Sequence, residues 1–257
     1  MGLQYDVVHT DGIARRVVLE RAANVRDLGG FQTPDGVTRF GQILRADQLG
    51  MLSDADLAVL AGQVGVARTV DLRGLDEVAV LGRGRLVDVG VEHVHLPVRD
   101  RANDPEALVV SRELTQAQRY LRALEELAER YVAAVEALTY DAVAIVHCTA
   151  GKDRTGVTAM LVLGALGVPD ESLIDDYAAT ARVPPEIKAA SRDPKADDFW
   201  ANYFVHADIA DVPPPEQMEQ IMRTVLEGIR DRWGSIQGFL DAHDGVHLRD
   251  RLRRRLL

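Results

Sequence analysis

Ala142-Val143-Ala144-Ile145-Val146-His147-Cys148-Thr149-Ala150-Gly151-Lys152-Asp153-Arg154-Thr155-Gly156 passes from an unbroken apolar run into a glycine-containing turn and then into residues that can open a helix. A short apolar run of this kind reads as a central parallel strand, because a strand covered on both faces has no polar side to alternate with. Residues 154–166 read as a helix ending near Gly167. Strand, tight loop and helix in succession put Cys148 at the switch between them, at the carboxyl edge of a sheet where α/β proteins place their sites.

Working outward, the spacing before this stretch predicts a long helical segment from Thr115 to Leu138, with Leu121, Leu124, Leu127, Ala128, Tyr131, Val132, Val135 and Leu138 on one apolar stripe. Val66-Ala67-Arg68-Thr69-Val70-Asp71-Leu72-Arg73 reads as a buried strand that delivers Asp71 and Arg73 to a sheet edge, and residues 91–96 alternate like a half-buried strand. Further strands are expected over residues 13–20 and 42–45, flanking the turn-rich Asn24-Val25-Arg26-Asp27-Leu28-Gly29-Gly30. Ser53, followed three residues later by Asp56, caps a helix that should stop near Gly62 or Gly65. Beyond the loop the chain is predominantly helical over residues 171–181, 215–233 and 235–242, punctuated by Pro184-Pro185 and Pro213-Pro214-Pro215. The expected fold is α/β, a mainly parallel central sheet flanked by helices, with an additional helical lid or C-terminal helices.

A chain of 257 residues with a 47% hydrophobic share and no long Pro/Gly/Ser-rich linker is expected to form one domain over residues 1–257. Its formal net charge of -10 argues against extended nucleic-acid binding, which needs clustered Lys and Arg against many phosphates. The basic run Arg249 to Arg255 reads as a solvated helix face. Neither a secretory signal nor an apolar stretch long enough to span a bilayer is visible, so a cytoplasmic location is expected, with leaderless export left open. Oligomeric state is not legible. Cys148 is the single cysteine, which excludes an intrachain disulfide and a cysteine-rich metal site.

Splitting a phosphate monoester requires a nucleophile, neutralisation of the oxygens in flight, and a proton for a poor leaving group. If Cys148 ends the strand, the backbone N–H groups of Thr149, Ala150, Gly151, Lys152 and Asp153 can curl around one dianion while the helix amino end adds a favourable potential. The same field favours a thiolate. Arg154, six positions beyond Cys148, offers a planar fork to two phosphate oxygens. Thr155 is placed to give its hydroxyl to the Cys148 sulfur, and Lys152 to set a cation at the rim. The loop is not the nucleotide-triphosphatase type, since Lys152 is followed by Asp153 instead of Ser or Thr.

The run His147 to Gly156 resembles the signature of the atypical bacterial protein-tyrosine phosphatases, a family that includes dual- and triple-specificity enzymes acting on phosphoinositides. Asn24 to Gly30, Leu44-Arg45-Ala46-Asp47, Asp71-Leu72-Arg73, His95-Leu96-Pro97 and Trp233-Gly234-Ser235-Ile236 look like its dispersed motifs, so the resemblance covers most of the chain. It implies a tyrosine-phosphatase-like core, a cysteinyl-phosphate intermediate and no metal or other cofactor. Substrates would be phosphotyrosyl protein, with phosphoserine, phosphothreonine or phosphoinositides also open. A helical lid is expected from residues 115–138 or from the segments after Glu171.

For the general acid, Asp153 in the loop is the first candidate, with Asp100, Asp104 and Asp71 as rivals. Asp71, Arg73 and Arg45 also suit a supporting role as ion-pair partners. His93 and His95, two apart, fit one face of a half-buried strand better than a metal pair. Trp200, Tyr203 and Phe204 read as core or lid packing. The competing function is a phosphoprotein- or phosphoinositide-binding module without turnover; sulfur transfer or arsenate reduction is disfavoured because no second cysteine is present to resolve an intermediate.

Overall fold

In the computed structural model, residues 15–98, 113–203 and 212–257 are described. Their sheet has five strands. In chain order these are β1 (Arg26–Asp27), β4 (Ile43–Ala46), β5 (Arg68–Asp71), β6 (Glu92–His95) and β7 (Ala144–His147), and in space they run β1-β4-β7-β5-β6. The last four are mutually parallel and β1 adds antiparallel at the edge, while β2 (Gln32–Thr33) and β3 (Gly36–Val37) form a separate hairpin. β7 is central, as its apolar run requires.

Alternation along β7 sorts its side chains between two cores. Ala144, Val146 and Cys148 face one, which contains Leu124, Tyr131, Val157 and Leu161; Ile145 faces the other, with Leu44, Leu60, Val64 and Leu86. The first core lies under α3 (Gln116–Glu126), α4 (Ala128–Ala137) and α5 (Asp153–Ala165). Ten of the thirteen residues of α5 are buried, so this helix carries little amphipathic pattern and is held by packing on all sides. After α5 come α6 (Asp170–Ala178), α7 (Pro185–Ala190), α8 (Pro194–Tyr203), α9 (Pro215–Trp233), α10 (Ile236–Ala242) and α11 (Leu248–Leu256).

Several expectations are met closely. Ser53 accepts from the Asp56 N–H and caps α1 (Asp54–Leu57), which continues as a π-helical turn to Val64 and stops at Gly65 in the left-handed region, φ 79°. Others need correction. The helix expected from Thr115 to Leu138 is two helices broken at Leu127, where φ is -123° and ψ 25°, and both halves bury residues of the stripe in the same core although neither Gly nor Pro marks the break. Residues 15–20 are not a strand: Val17 N–H bonds Val25 and Asp27 N–H bonds Arg15, but the ladder stops at a single bridge between Arg16 and Arg26.

The basic tail is less solvated than its composition suggests. Arg255 is buried and donates to the carbonyls of Gln42 and Ala142, which precede β4 and β7, so α11 is tied to the amino end of the sheet. Arg253 pairs with Asp35 and Arg251 with Glu136. No helix among the described residues is long and apolar enough to cross a membrane.

Candidate active site

The parallel register sets Ala46, His147 and Asp71 side by side, with His95 next to Asp71, so the loop after β7 emerges between two strand ends. From there each loop carbonyl is taken by a different part of the scaffold. The Cys148 carbonyl accepts from His147 Nδ1 at 3.3 Å, Thr149 from the Gln48 N–H at 2.9 Å, Ala150 from Asn24 Nδ2 at 3.1 Å, and Gly151 from Arg45 Nη2 at 2.7 Å. In a trans peptide the carbonyl of one residue and the N–H of the next point in opposite directions, and no peptide here is cis. Holding those four carbonyls therefore turns the N–H groups of Thr149, Ala150, Gly151 and Lys152 away from the scaffold. Backbone donors of this kind, just ahead of the amino end of a helix, are the sort that bind an anion, and α5 begins at Asp153.

Gly151 is the position that permits the turn. Its φ is 64°, and a Cβ there would stand 2.6 Å from the Ala46 carbonyl oxygen. Gly151→Ala is expected to cost on the order of 2 kcal/mol or more, from the left-handed backbone plus the clash with rigid strand backbone. A urea midpoint unchanged from wild type would contradict this. Gly156 has the same kind of constraint, since a Cβ would lie 2.9 Å from the Tyr177 ring.

Arg154 is anchored by a residue that the sequence reading passed over. Glu77, at the third position of α2 (Leu75–Leu81), takes Arg154 Nη1 at 2.5 Å and Nη2 at 3.0 Å, and also accepts from the Thr149 hydroxyl and the Gly74 N–H. Burial alone would raise the Glu77 carboxyl, but Arg154 and the hydrogen bonds hold it down at about 2. Burial likewise opposes charge on Arg154, and the Glu77 carboxylate and the Cys148 sulfur outweigh it, keeping the guanidinium well above its usual range. Within its own segment Glu77 signals only a helix cap. Its partner is 77 residues away.

Arg45 and Asp176 form a second anchor. Asp176, on α6, lies 2.5 Å from Arg45 Nη1 and also meets the buried Arg26 at 3.4 Å and the partly buried Arg15 at 3.5 Å. Burial would raise the Asp176 carboxyl, yet three guanidinium groups hold it well below the carboxylate range; burial and Arg45 pull Arg26 down to about 9. A neighbouring carboxylate, Asp47, takes the N–H groups of Ala23 and Asn24 and so sets the strand-like segment that reaches Ala150.

Asp71 pairs with Arg73, not Arg45: Arg73 Nη2 and Nε lie 2.6 and 2.9 Å from its two oxygens, and His93 Nε2 is 3.1 Å away. Burial would raise this carboxyl, but His147, His93 and Arg73 drive it far below its ordinary value, so it remains charged and supports β5 and β7. His93 and His95 stack at 5.8 Å on a half-buried face, and His95 Nε2 donates to the Arg73 carbonyl. Among the described residues no cluster of His, Cys, Asp and Glu is arranged to hold a metal.

His147 is fully buried, and that burial lowers its imidazole to about 4 against the opposing pull of Asp71. The ring is expected to stay neutral down to about pH 4, with its NMR signals tracking the titration; a midpoint near 6.5 would contradict it. Because the folded chain then binds fewer protons at this site than the unfolded one, His147's contribution to stability falls as pH drops from about 6.5 to about 4, by about 3 kcal/mol in all. Asp27, raised by burial to about 6, acts with the opposite sign: its contribution is complete below about 3.8 and lost as pH rises through about 6.

Asp153 is the first residue of α5 and its side chain is 37% exposed, whereas Cys148 lies beneath the loop and is buried. Asp153 Oδ1 accepts from Gln116 Nε2 at 2.8 Å and from the Tyr120 hydroxyl. Lys152 is nearly buried, its Nζ 3.7 Å from Asp153. The Thr155 hydroxyl is buried without a hydrogen-bond partner among the described residues, so it is not bonded to the Cys148 sulfur in this structure. Asp100, Asp104 and Phe204 lie outside the described residues, as do the side chains of Trp200 and Tyr203.

The loop after Cys148 has four carbonyls held by the scaffold and runs into a helix that carries Arg154, a layout consistent with a class, the cysteine-dependent phosphatases. The tyrosine phosphatase family profile matches residues 17–257, and the chain belongs to that family. It is 29% identical over 201 residues to the triple specificity protein phosphatase PtpB of Mycobacterium tuberculosis, a match spanning 66% of this chain and 71% of that protein. It is 32% identical over 144 residues to a tyrosine-protein phosphatase of Nostoc commune, spanning 54% of this chain and about half (48%) of that one. Among solved structures, the core catalytic domain of the PP-IP phosphatase SIW14 from S. cerevisiae aligns over 73% of this chain and 98% of its own, at 12% identity and a TM-score of 0.39.

Proposed function

We propose that the protein hydrolyses phosphotyrosyl proteins, and with them phosphoserine, phosphothreonine or phosphoinositide monoesters, through a cysteinyl-phosphate intermediate and without a metal. The observation that supports this best is the set of four outward-held carbonyls, which leaves four N–H groups free for phosphate oxygens beside Cys148. Arg154, preset by Glu77, takes two further oxygens. Cys148 sulfur attacks phosphorus, the bond to the leaving oxygen breaks, and that oxygen takes a proton from Asp153. Water then attacks the phosphocysteine, Asp153 takes the water proton, and the S–P bond breaks to return the thiolate. The wider substrate range draws on the similarity to a relative named for triple specificity.

Rapid acid quench of enzyme with labelled phosphopeptide should trap one phosphate on Cys148. Tight binding with no such adduct and no turnover would show a recognition module instead. A competitive panel of phosphotyrosyl peptide, phosphoseryl peptide and phosphoinositide, compared by kcat/KM at one pH and salt, ranks the substrates. Lys152→Ala should weaken catalysis on a multiply phosphorylated inositol lipid about tenfold more than on a small aryl phosphate, because only the lipid offers a second anion to the ammonium. Equal losses would remove Lys152 from lipid recognition.

A further inference from the structure

Two buried tyrosines from helices distant in sequence meet at the mouth of the loop. Tyr120, on α3, donates its hydroxyl proton to Asp153 Oδ1, and the Tyr177 hydroxyl, on α6, lies 2.8 Å from the Tyr120 oxygen. Since Tyr120 has only one proton and spends it on Asp153, its oxygen must accept from Tyr177. The two rings are 5% and 1% exposed and sit edge to face, so neither hydroxyl can turn to solvent instead. Burial first, and the Asp153 carboxylate next, push both phenols well above their usual range, so both remain proton donors.

The side-chain hydrogen bonds and the ion pair of Asp153 among the described residues gather on one oxygen. Tyr120, Gln116 and the more distant Lys152 ammonium address Oδ1. A carboxylic proton cannot occupy an oxygen that already accepts two N–H or O–H bonds, so it is left to Oδ2 of this partly exposed side chain. Gln116 is fixed in turn by Arg119, which donates to its amide oxygen and thereby orients the NH2 toward Asp153. Two phenols packed solely to fill space would not need to address one oxygen of a loop acid in series.

We propose that Tyr177 and Tyr120 form a positioning relay that clamps Asp153 by Oδ1 and so presents Oδ2 as the proton-bearing atom to the leaving oxygen. This rests on the reading of Asp153 as general acid. The relay touches no substrate and acts only through Asp153. It also joins α3 and α6 to the protonation step.

The test is the leaving-group dependence of kcat/KM across a series from 4-nitrophenyl phosphate to phenyl and alkyl phosphates, in wild type, Tyr120→Phe, Asp153→Asn and the double variant. Tyr120→Phe is expected to lower the rate about tenfold on the poorest leaving groups and no more than about threefold on 4-nitrophenyl phosphate, because an unclamped acid still exists but is misdirected. In the Asp153→Asn background the same change should add less than about twofold, since the relay has nothing left to position. Tyr177→Phe, which keeps the ring against Gly156, should show the same trend more weakly; it decides the matter if Tyr120→Phe lacks a cooperative melt. Asp153→Asn steepening the dependence while the tyrosine variants lose rate evenly would overturn the relay and leave the acid in place. An unchanged dependence in Asp153→Asn would overturn the acid itself and the relay with it.

Discussion

Cys148→Ser is expected to lower kcat/KM on a small aryl phosphate by roughly 10⁴-fold or more, while phosphopeptide binding by calorimetry stays within about threefold of wild type. The two readouts part because the site splits binding from attack. In the proposed mechanism phosphate is held by the loop N–H groups and Arg154, none of which depends on the atom at position 148, and serine differs from cysteine there only in the replacement of sulfur by oxygen. A field of N–H dipoles can sustain a thiolate, but a serine hydroxyl needs a base to take its proton, and the nearest imidazole, His147, points its Nδ1 at the Cys148 carbonyl. Metal-free turnover equal in the two proteins would dismiss Cys148 as nucleophile.

Glu77→Ala should be the next most damaging change, although Glu77 meets no substrate. The carboxylate closes a bidentate pair with Arg154 and satisfies Thr149 and the Gly74 N–H besides. Removing one partner of an interior pair strands the other charge, at a cost of about 3–5 kcal/mol, and frees Arg154 to leave the geometry in which it would clamp the phosphate. A fall in kcat/KM of about 100-fold is expected alongside a lower urea midpoint, with Glu77→Gln intermediate because it keeps shape but not charge. Measuring KM and kcat separately distinguishes the contributions: loss of preorganisation should depress kcat, while loss of stability alone should spare both parameters below the transition. Wild-type kcat/KM in a folded Glu77→Ala protein would remove the anchor from the mechanism.

Much of this architecture was legible in one dimension because it is local. The apolar run Ala144 to Val146 states a doubly covered strand by itself, the glycine-containing run after Cys148 states a tight turn, and Ser53 and Thr115 state helix starts, each of which the structure carries out. The positions of Cys148 and Arg154 around one turn likewise follow from spacing. The break at Leu127 did not, since neither Gly nor Pro stands there to signal it.

Sequence by itself determined the strand-loop-helix unit, the residues that line it, and the parallel character of the sheet, because backbone propensity and period act over a few residues. Tertiary structure alone decided which groups hold that unit in place. Glu77 on Arg154, Arg45 and Asn24 on the loop carbonyls, Asp176 among three arginines, and Tyr120 with Tyr177 on Asp153 all join segments tens to more than a hundred residues apart. A buried charge or hydroxyl must find a partner, but nothing in its own neighbourhood says which one. Only the packing of α2, α3 and α6 around the end of β7 makes that choice.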